Sequence, residues 1–270
     1  MQQLAEGWRV AGECIAFVPT MGALHDGHAH LLREARRQGS RLVLSLFVNP
    51  TQFGPTEDYA CYPRTLTADQ VMAEACGVDA IFMPQADTIY PETYRTFVTV
   101  DRLTDHLCGP FRPHHFRGVA TIVCKLFQIV QPHRAYFGEK DFQQLQIIRR
   151  MVADLMIPIE IVGIPTVRET DGLALSSRNR YLSAAQRAQA RAIPRALFAA
   201  QAMATADDPP EAIVAQVRAT LASAQITQID YISVVDPETL APVTTLDRPA
   251  RLCVAVQIGP ARLIDNVPLG

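Results

Sequence analysis

The chain has 270 residues, 49% of them hydrophobic, and 25 basic and 27 acidic residues give it a formal net charge of −2 at pH 7. This length and composition suffice for one large or two small globular domains with a sizeable core. The near-balance of charge excludes the overall basic field typical of nucleic-acid-binding proteins, and the absence of a signal-peptide pattern or a membrane-spanning apolar run excludes a membrane partner.

The first predicted elements are a strand at Ile15–Val18, a glycine-containing turn and a helix over 28–38. His25 and His28 form an H-D-G-H sequence where the turn meets the helix. A helix start presents unpaired backbone N–H groups and the positive end of the helix dipole, so anions bind there readily. Two imidazoles add side-chain donors, which makes the segment a candidate phosphate site. The alternative is that both histidines are surface residues that only cap the helix.

Strands and helices continue to alternate to about residue 165, which predicts an α/β fold with a Rossmann-like parallel sheet and flanking helices. The further strands are predicted at Leu42–Val48, Ala80–Met83, Ala135–Phe137 and Ile159–Ile164. The further helices are predicted near 67–76, 116–130 and 141–156. Two helix starts show the spacing of an N-cap and its N3 partner, Thr67 with Gln70 and Asp141 with Gln144.

After residue 165 the pattern changes to a polar segment over 168–180, followed by Ala-rich helices and β-rich stretches. The helices are predicted at 183–204 and about 210–223, and the β-rich stretches at 226–235 and 251–265. We therefore expect a Rossmann-like domain over 1–167 and a smaller C-terminal α+β domain over 168–270. The Asp207–Pro210 run is expected to be a loop between the last two helices.

Several loops are candidates for binding a phosphate or a small acid. Gly138–Asp141 combines a glycine for close backbone approach with Lys140, which can neutralise phosphate charge. Ser176–Arg180 offers hydroxyls and guanidinium groups suited to cover a triphosphate. Gln52 and Gln144 are neutral amides suited to hydroxyl and carboxylate groups. Taken singly, each segment is also consistent with an ordinary polar loop. Because strands of such a sheet end at one edge, we expect the loops of the first domain to meet at one crevice.

Histidines are frequent enough to raise the alternative of a transition-metal site, since the Arg112–Gly118 run adds two to those of the H-D-G-H segment. No H-E-x-x-H or Cys/His spacing accompanies them, so we do not expect a structural transition metal. The cysteines are scattered without a C-x-x-C pair, which predicts core-filling thiols in a reducing cytoplasm: Cys14, Cys61, Cys76, Cys108, Cys124 and Cys253.

Six segments together resemble motifs of the pantothenate synthetase (pantoate–β-alanine ligase) family. In chain order they are F-V-P-T-M-G-A-L-H-D-G-H, F-V-N-P-T-Q-F, Y-P-R-T, F-R-P-H-H-F-R-G-V, Y-F-G-E-K-D-F-Q-Q and L-A-L-S-S-R-N-R-Y-L. The resemblance covers almost the whole chain and places it in the H-x-G-H nucleotidyltransferase superfamily. It implies an ATP-dependent ligase that joins (R)-pantoate to β-alanine through a pantoyl adenylate and releases AMP and pyrophosphate. It also implies a Mg²⁺ requirement and a homodimer.

The same resemblance implies roles for domains and residues. The 1–167 domain would bind the nucleotide and pantoate, and the 168–270 domain would act as a lid. Catalytic roles fall on His28, as the principal residue, and on His25, Lys140 and Arg178. ATP contacts fall on Met21, Gly22, Ala23, Leu24, His25, Asp26, Gly27, His28, Gly138, Glu139, Lys140, Asp141, Val167, Leu175, Ser176, Ser177 and Arg178.

The acid substrates and the metal are assigned by the same resemblance. Gln52 would contact both pantoate and β-alanine, and Gln144 would hold pantoate. Asp69 falls where the family can contact Mg²⁺, and Arg112 lies in a motif beside the pocket.

Two features depart from the family pattern. Leu175 stands where the family usually has Met, a swap of similar volume. The family also has a strand and most of a helix ahead of the Trp8 region, so we expect either a start further upstream or a sheet without that edge strand.

Three rival functions stay open at this point. A different H-x-G-H nucleotidyltransferase would leave AMP attached to its product, and a nucleotide-sensing module would bind ATP without turnover. A class I aminoacyl-tRNA synthetase is disfavoured because the chain has no K-M-S-K-S motif and no room for an anticodon-binding domain.

Overall fold

The computed structural model describes residues 1–55, 57–205 and 208–270, which divide into two compact units. Unit 1 consists of Met1–Asp101, Arg112–Glu139 and Ile147–Pro165. Unit 2 consists of Arg102–Phe111, Lys140–Gln146 and Thr166–Gly270. The sequence predicts one division, after residue 167. In the structure the last boundary lies after Pro165. Two earlier segments, Arg102–Phe111 and Lys140–Gln146, also belong to unit 2, because they pack with its residues although they precede it in the chain.

A parallel five-stranded sheet forms the centre of unit 1, which confirms the predicted fold class. Its strands are β1 (Ile15–Thr20), β2 (Arg41–Leu46), β3 (Ala80–Phe82), β4 (Arg134–Gly138) and β5 (Glu160–Ile164). Their spatial order is β3-β2-β1-β4-β5. The chain runs outward from β1 to β3 and then adds β4 and β5 on the other side of β1, so the switch point lies between β1 and β4. In such sheets ligands bind beside the carboxyl ends of the strands at this switch point. The H-D-G-H segment follows β1, and Gly138 ends β4.

The helices of the first 165 residues are α1 (Gln2–Val10), α2 (Asp26–Gln38), α3 (Leu66–Ala75), α4 (Ala86–Ile89), α5 (His115–Val130) and α6 (Phe142–Asp154). The predicted N-cap at Thr67 is wrong, because α3 already begins at Leu66 and Thr65 occupies the cap position. The Thr65 hydroxyl does not cap the helix and instead donates to the Asp69 carboxylate at 3.0 Å. α6 follows a 3-10 turn over Glu139–Asp141.

Apolar side chains from the sheet and its helices form the core of unit 1. Phe17 on β1 and Phe137 on β4 each meet Phe127 of α5 edge-to-face, with ring centroids 6.4 Å apart in both pairs. On α2 the fully buried Leu32 and Ala35 belong to a cluster with residues of β1 and β2. This packing holds the start of α2, and with it the H-D-G-H segment, against the sheet.

Unit 2 carries an antiparallel sheet of β6 (Ile229–Val235), β7 (Ala250–Ile258) and β8 (Ala261–Leu269), together with α7 (Ala184–Ala190), α8 (Ala192–Met203) and α9 (Pro210–Ser223). The single helix predicted at 183–204 is two helices. Pro194 has no N–H to donate to the carbonyl of Ala190, so the helical bonding is interrupted near Arg191. The stretch predicted at 251–265 is a hairpin that turns at Gly259, where φ is +54°.

The loop predicted at Asp207–Pro210 is only partly described. Asp207 lies outside the described residues. Pro210 belongs to α9 as its first residue, not to the loop. Proline suits that position because the first helical N–H has no partner within the helix.

All six cysteines are free thiols, and burial raises the pKa of the Cys253 thiol to about 12. That residue therefore stays protonated and acts as a core side chain. Cys76 and Cys108 are also buried, whereas Cys61 is exposed, so the prediction that it fills the core is wrong. Within the described residues no helix combines the length and apolarity needed to cross a membrane.

Candidate active site

The H-D-G-H segment starts α2, and both of its histidines act as caps. His25 Nδ1 accepts a hydrogen bond from the N–H of Gly27 at 3.2 Å, and His28 Nδ1 accepts one from the N–H of His25 at 3.3 Å. The two rings are in contact, with centroids 4.1 Å apart and planes tilted by 36°. Because an accepting nitrogen carries no proton, each neutral ring is protonated on Nε2, which is then a hydrogen-bond donor. The capping interpretation and the anion-binding interpretation are therefore compatible.

A buried carboxylate holds the turn that precedes these histidines. Asp69 is only 3% exposed, and its two oxygens accept hydrogen bonds from the N–H groups of Ala23 at 3.0 Å and Leu24 at 2.8 Å. Gly22 has a φ of +82° there, and a Cβ at this position would lie 3.1 Å from the carboxylate. The N–H groups of residues 23 and 24 are thus engaged by Asp69.

Asp69, the candidate Mg²⁺ ligand, is engaged by hydrogen bonds from the protein. Both of its oxygens accept hydrogen bonds from N–H groups, and one also accepts from the Thr65 hydroxyl. Among the described residues, no group of three or more His, Cys, Asp or Glu side chains is arranged to hold a metal ion. Mg²⁺ is commonly bound by one or two carboxylates together with substrate phosphates, so it does not need such a group.

Gln52 lies in the loop after β2 and is 8% exposed. Its Oε1 accepts a hydrogen bond from Asn49 Nδ2 at 3.1 Å, and its Nε2 lies 2.9 Å from the sulfur of Met21. The amide is therefore oriented, with its oxygen toward Asn49 and its nitrogen toward the turn after β1.

Asn49 is a central residue of this loop that sequence reasoning did not select. It is 1% exposed, and its Nδ2 also donates to the carbonyl of Gly118 at 3.1 Å. Its Oδ1 accepts from the Tyr90 hydroxyl at 2.9 Å, and burial raises the pKa of Tyr90 to about 12, so this donor stays protonated at neutral pH. The close approach of this loop to α5 requires glycine at position 118, because a Cβ there would lie 2.4 Å from the carbonyl oxygen of Thr51. The one signal available in the sequence was an Asn-Pro pair after a strand, which is typical of an N-cap.

In unit 2 the predicted ATP-contact residues Val167 and Leu175 lie side by side on a short hairpin. The N–H of Leu175 donates to the carbonyl of Val167 at 3.0 Å. Directly after the hairpin, Ser176 Oγ accepts from the N–H of Arg178 at 3.3 Å and caps a 3-10 turn over Ser177–Tyr181. The five predicted contacts from this part of the chain therefore lie in one continuous hairpin and turn.

Strand β8 anchors both the hairpin and Lys140. Arg168 on the hairpin makes two hydrogen bonds to Asp265, at 2.7 and 2.9 Å, and the Asp265 side chain is 2% exposed. Asn266 Nδ2 donates to the carbonyl of Lys140 at 3.0 Å. Lys140 and Ser176 line one small pocket. The structure thus brings these two predicted residues together within unit 2.

The two glutamines at the start of α6 differ in environment. Gln143 is 5% exposed, and its amide is used by the main chain of the 102–111 segment: it donates to the carbonyls of Leu103 and His106, both at 2.8 Å, and accepts from the N–H of Cys108 at 2.9 Å. Gln144 is half-buried, and in the described part of the chain its side chain takes no part in a hydrogen bond. Gln143 is therefore structural, and Gln144 retains its amide for another partner.

Known proteins similar to this chain cover nearly its whole length. The family model of pantoate-beta-alanine ligase matches residues 1–268. The pantothenate synthetase of Syntrophotalea carbinolica is 54% identical over 259 residues, 96% of this chain and 92% of the relative, and that of Geobacter sulfurreducens is 52% identical over 274 residues, 100% and 96%.

Solved structures of similar proteins agree with this. The crystal structure of pantothenate synthetase from Thermus thermophilus matches with a TM-score of 0.92 at 48% identity, covering 97% of this chain and 96% of that one. The pantoate-beta-alanine ligase of Francisella tularensis, crystallised with beta-gamma ATP and beta-alanine, matches with a TM-score of 0.80 at 33% identity, covering 98% and 94%.

Proposed function

The chain belongs to the pantoate-beta-alanine ligase family, and we propose that it performs the family's ATP-dependent ligation in two steps. In the first step the carboxylate of (R)-pantoate attacks the α-phosphorus of ATP and pyrophosphate leaves. In the second step the amine of β-alanine attacks the acyl carbon of the pantoyl adenylate, and AMP leaves as the amide bond of pantothenate forms. The first step is required because a free carboxylate is a poor acyl donor.

The observation that carries this proposal is the pair of imidazole donors at the carboxyl end of β1. As the bond to the α-phosphorus breaks, negative charge grows on the bridging and β-phosphate oxygens, and preorganised donors stabilise that charge. The Nε2–H groups of His25 and His28 are such donors, because the caps fix both ring orientations. We assign His28 the principal role, and Lys140 and Arg178 supply positive charge.

We further propose that ATP is bound by residues 21–28, 138–141, Val167 and 175–178. Gln52 holds both pantoate and β-alanine, and its amide orientation by Asn49 supports this role. Gln144 holds pantoate through an amide that no described residue engages.

Three finer proposals accompany this one. Mg²⁺ enters with ATP and is bound by its phosphates, where it neutralises charge, and Asp69 is not needed as its ligand. The enzyme is a cytoplasmic homodimer, and its six free thiols are suited to that reducing compartment. Residues 168–270 act as a lid that protects the adenylate from water, so ATP plus pantoate should protect the 168–179 segment from proteases.

One assay with ATP, pantoate and β-alanine tests the function. We expect AMP and pantothenate in equal amounts, and pantoate-dependent ATP–pyrophosphate exchange when β-alanine is omitted. A product that retains AMP would instead identify a different nucleotidyltransferase. ATP binding without AMP release would identify a sensing module and overturn the proposal.

A further inference from the structure

A line of hydrogen bonds in unit 1 runs from Glu57 to the backbone of Gln52. Arg112 donates to both oxygens of Glu57, through Nε at 2.8 Å and Nη2 at 2.5 Å. Arg112 Nη1 lies 2.9 Å from His115 Nε2, and His115 Nδ1 lies 2.7 Å from the carbonyl oxygen of Gln52. His115 and Gln52 are both buried.

The chemistry of arginine determines the tautomer of His115. A guanidinium group only donates hydrogen bonds, so His115 Nε2 must be the acceptor in its contact with Arg112. The ring is then neutral, with its proton on Nδ1, and this N–H donates to the carbonyl of Gln52. A doubly protonated ring would instead direct its Nε2–H against the N–H of Arg112.

Glu57 balances the charge of Arg112. Burial alone would raise the pKa of the Glu57 carboxyl, but the hydrogen bond and the charge of Arg112 outweigh burial and lower it. Glu57 is therefore ionised at neutral pH, and Arg112 approaches His115 as half of an ion pair.

The turn that contains Gln52 needs an outside anchor. The turn's own backbone hydrogen bonds, from Gln52 to Asn49 and from Phe53 to Pro50, are both long at 3.4 Å. Hydrogen bonds of this length are weak. Asn49 holds the side chain of Gln52, and His115 holds its main chain.

We propose that His115 is a positioning residue for the two acid substrates. By fixing the carbonyl of Gln52 it keeps the amide of that residue where pantoate and β-alanine bind. This inference rests on the proposed role of Gln52 and concerns the binding of these substrates, not of ATP.

Two substitutions at His115 separate positioning from packing. His115→Phe keeps a ring of similar size but removes both nitrogens. We expect the KM values for pantoate and β-alanine to rise about tenfold, because one anchor of a weakly held turn is lost, while the KM for ATP is unchanged. His115→Asn places an amide N–H near the position of Nδ1 and should restore most of the loss.

His114→Asn is the matched control. His114 is exposed, and its φ of +68° is in the left-handed region that asparagine tolerates. The same substitution one residue away should leave all three KM values unchanged. Wild-type KM values for pantoate and β-alanine in His115→Phe, or an equal rise for all three substrates, would overturn the proposal.

A second measurement needs no active variant. Long-range ¹H–¹⁵N correlation spectra of the wild-type protein report the tautomer of each histidine, and the His115→Asn spectrum assigns the signal of His115. We expect the neutral form protonated on Nδ1, and protonation on Nε2 would contradict the proposal. If the wild-type enzyme forms no pantothenate, the proposed function is refuted. The tautomer measurement does not depend on that activity and still tests the hydrogen bonds of His115.

Discussion

The candidate site residues of unit 1 and those of unit 2 are held by different kinds of contact. In unit 1 the imidazoles of His25 and His28 are oriented by hydrogen bonds to residues two and three positions away. In unit 2 Lys140 is anchored by a residue 126 positions later, and the hairpin is anchored through Arg168 by a residue 97 positions later. The difference shows that hydrogen bonds within one turn of chain can orient the side chains of a short motif, whereas Lys140 and the hairpin in unit 2 depend on contacts with β8.

Removing His28 tests the local side of this contrast and should give the largest effect. We expect His28→Ala to lower the rate of ATP–pyrophosphate exchange by about 10²–10³, since one preorganised donor is lost. The unfolding temperature should change little, because the capping bond that His28 accepts from the N–H of His25 is long at 3.3 Å. His30→Ala on the same helix is the control. Exchange near the wild-type rate in His28→Ala would refute the catalytic assignment.

Breaking the Arg168–Asp265 pair tests the long-range side. Arg168→Met leaves a buried carboxylate without its partner, so we expect a loss of about 3 kcal/mol in the free energy of unfolding, measured by urea denaturation. Adding Asp265→Leu removes the orphaned charge and should recover most of that loss. If single and double variants are equally destabilised, the ion pair does not anchor the hairpin.

Asp69 in unit 1 is an exception to this contrast, because it holds the turn before His25 through the N–H groups of residues 46 and 45 positions earlier. In Asp69→Asn the amide nitrogen would face a backbone N–H, so we expect the KM for ATP to rise about tenfold. The Mg²⁺ concentration for half-maximal rate at saturating ATP should not change. Glu74→Gln, an exposed carboxylate on the same helix, is the control. A shifted Mg²⁺ dependence in Asp69→Asn would mean that the carboxylate binds the metal.

The smallest effect is expected at Glu57 and depends on pH. Its pKa is lowered in the folded protein from 4.5, so the ionised form stabilises the fold fully above that value, and this contribution is lost as pH falls through the folded pKa. Glu57→Gln should therefore cost about 1 kcal/mol at pH 7. The difference should vanish in acid, and thermal unfolding from pH 7 to pH 3 measures it. A constant difference at every pH would contradict the ion pair.

The errors in the predicted helices are local and concern where helices begin and end. The parallel sheet was predictable because buried strands are apolar runs separated by helical spacing. The cap at Thr67 was misplaced, since the hydroxyl that matters belongs to Thr65 and bonds a buried carboxylate. The break between α7 and α8 was missed, although Pro194 signals it in the sequence.

Sequence alone determined the fold class, the family resemblance and the position of the H-D-G-H segment at a helix start, because apolar periodicity and capping act over a few residues. Only the tertiary structure decided how Asn49, His115 and Asn266 are used. Each of the three bonds to a residue at least 63 positions away, to Gly118, Gln52 and Lys140 respectively. Such pairings follow from how strands and helices pack, and residue type does not specify the partner.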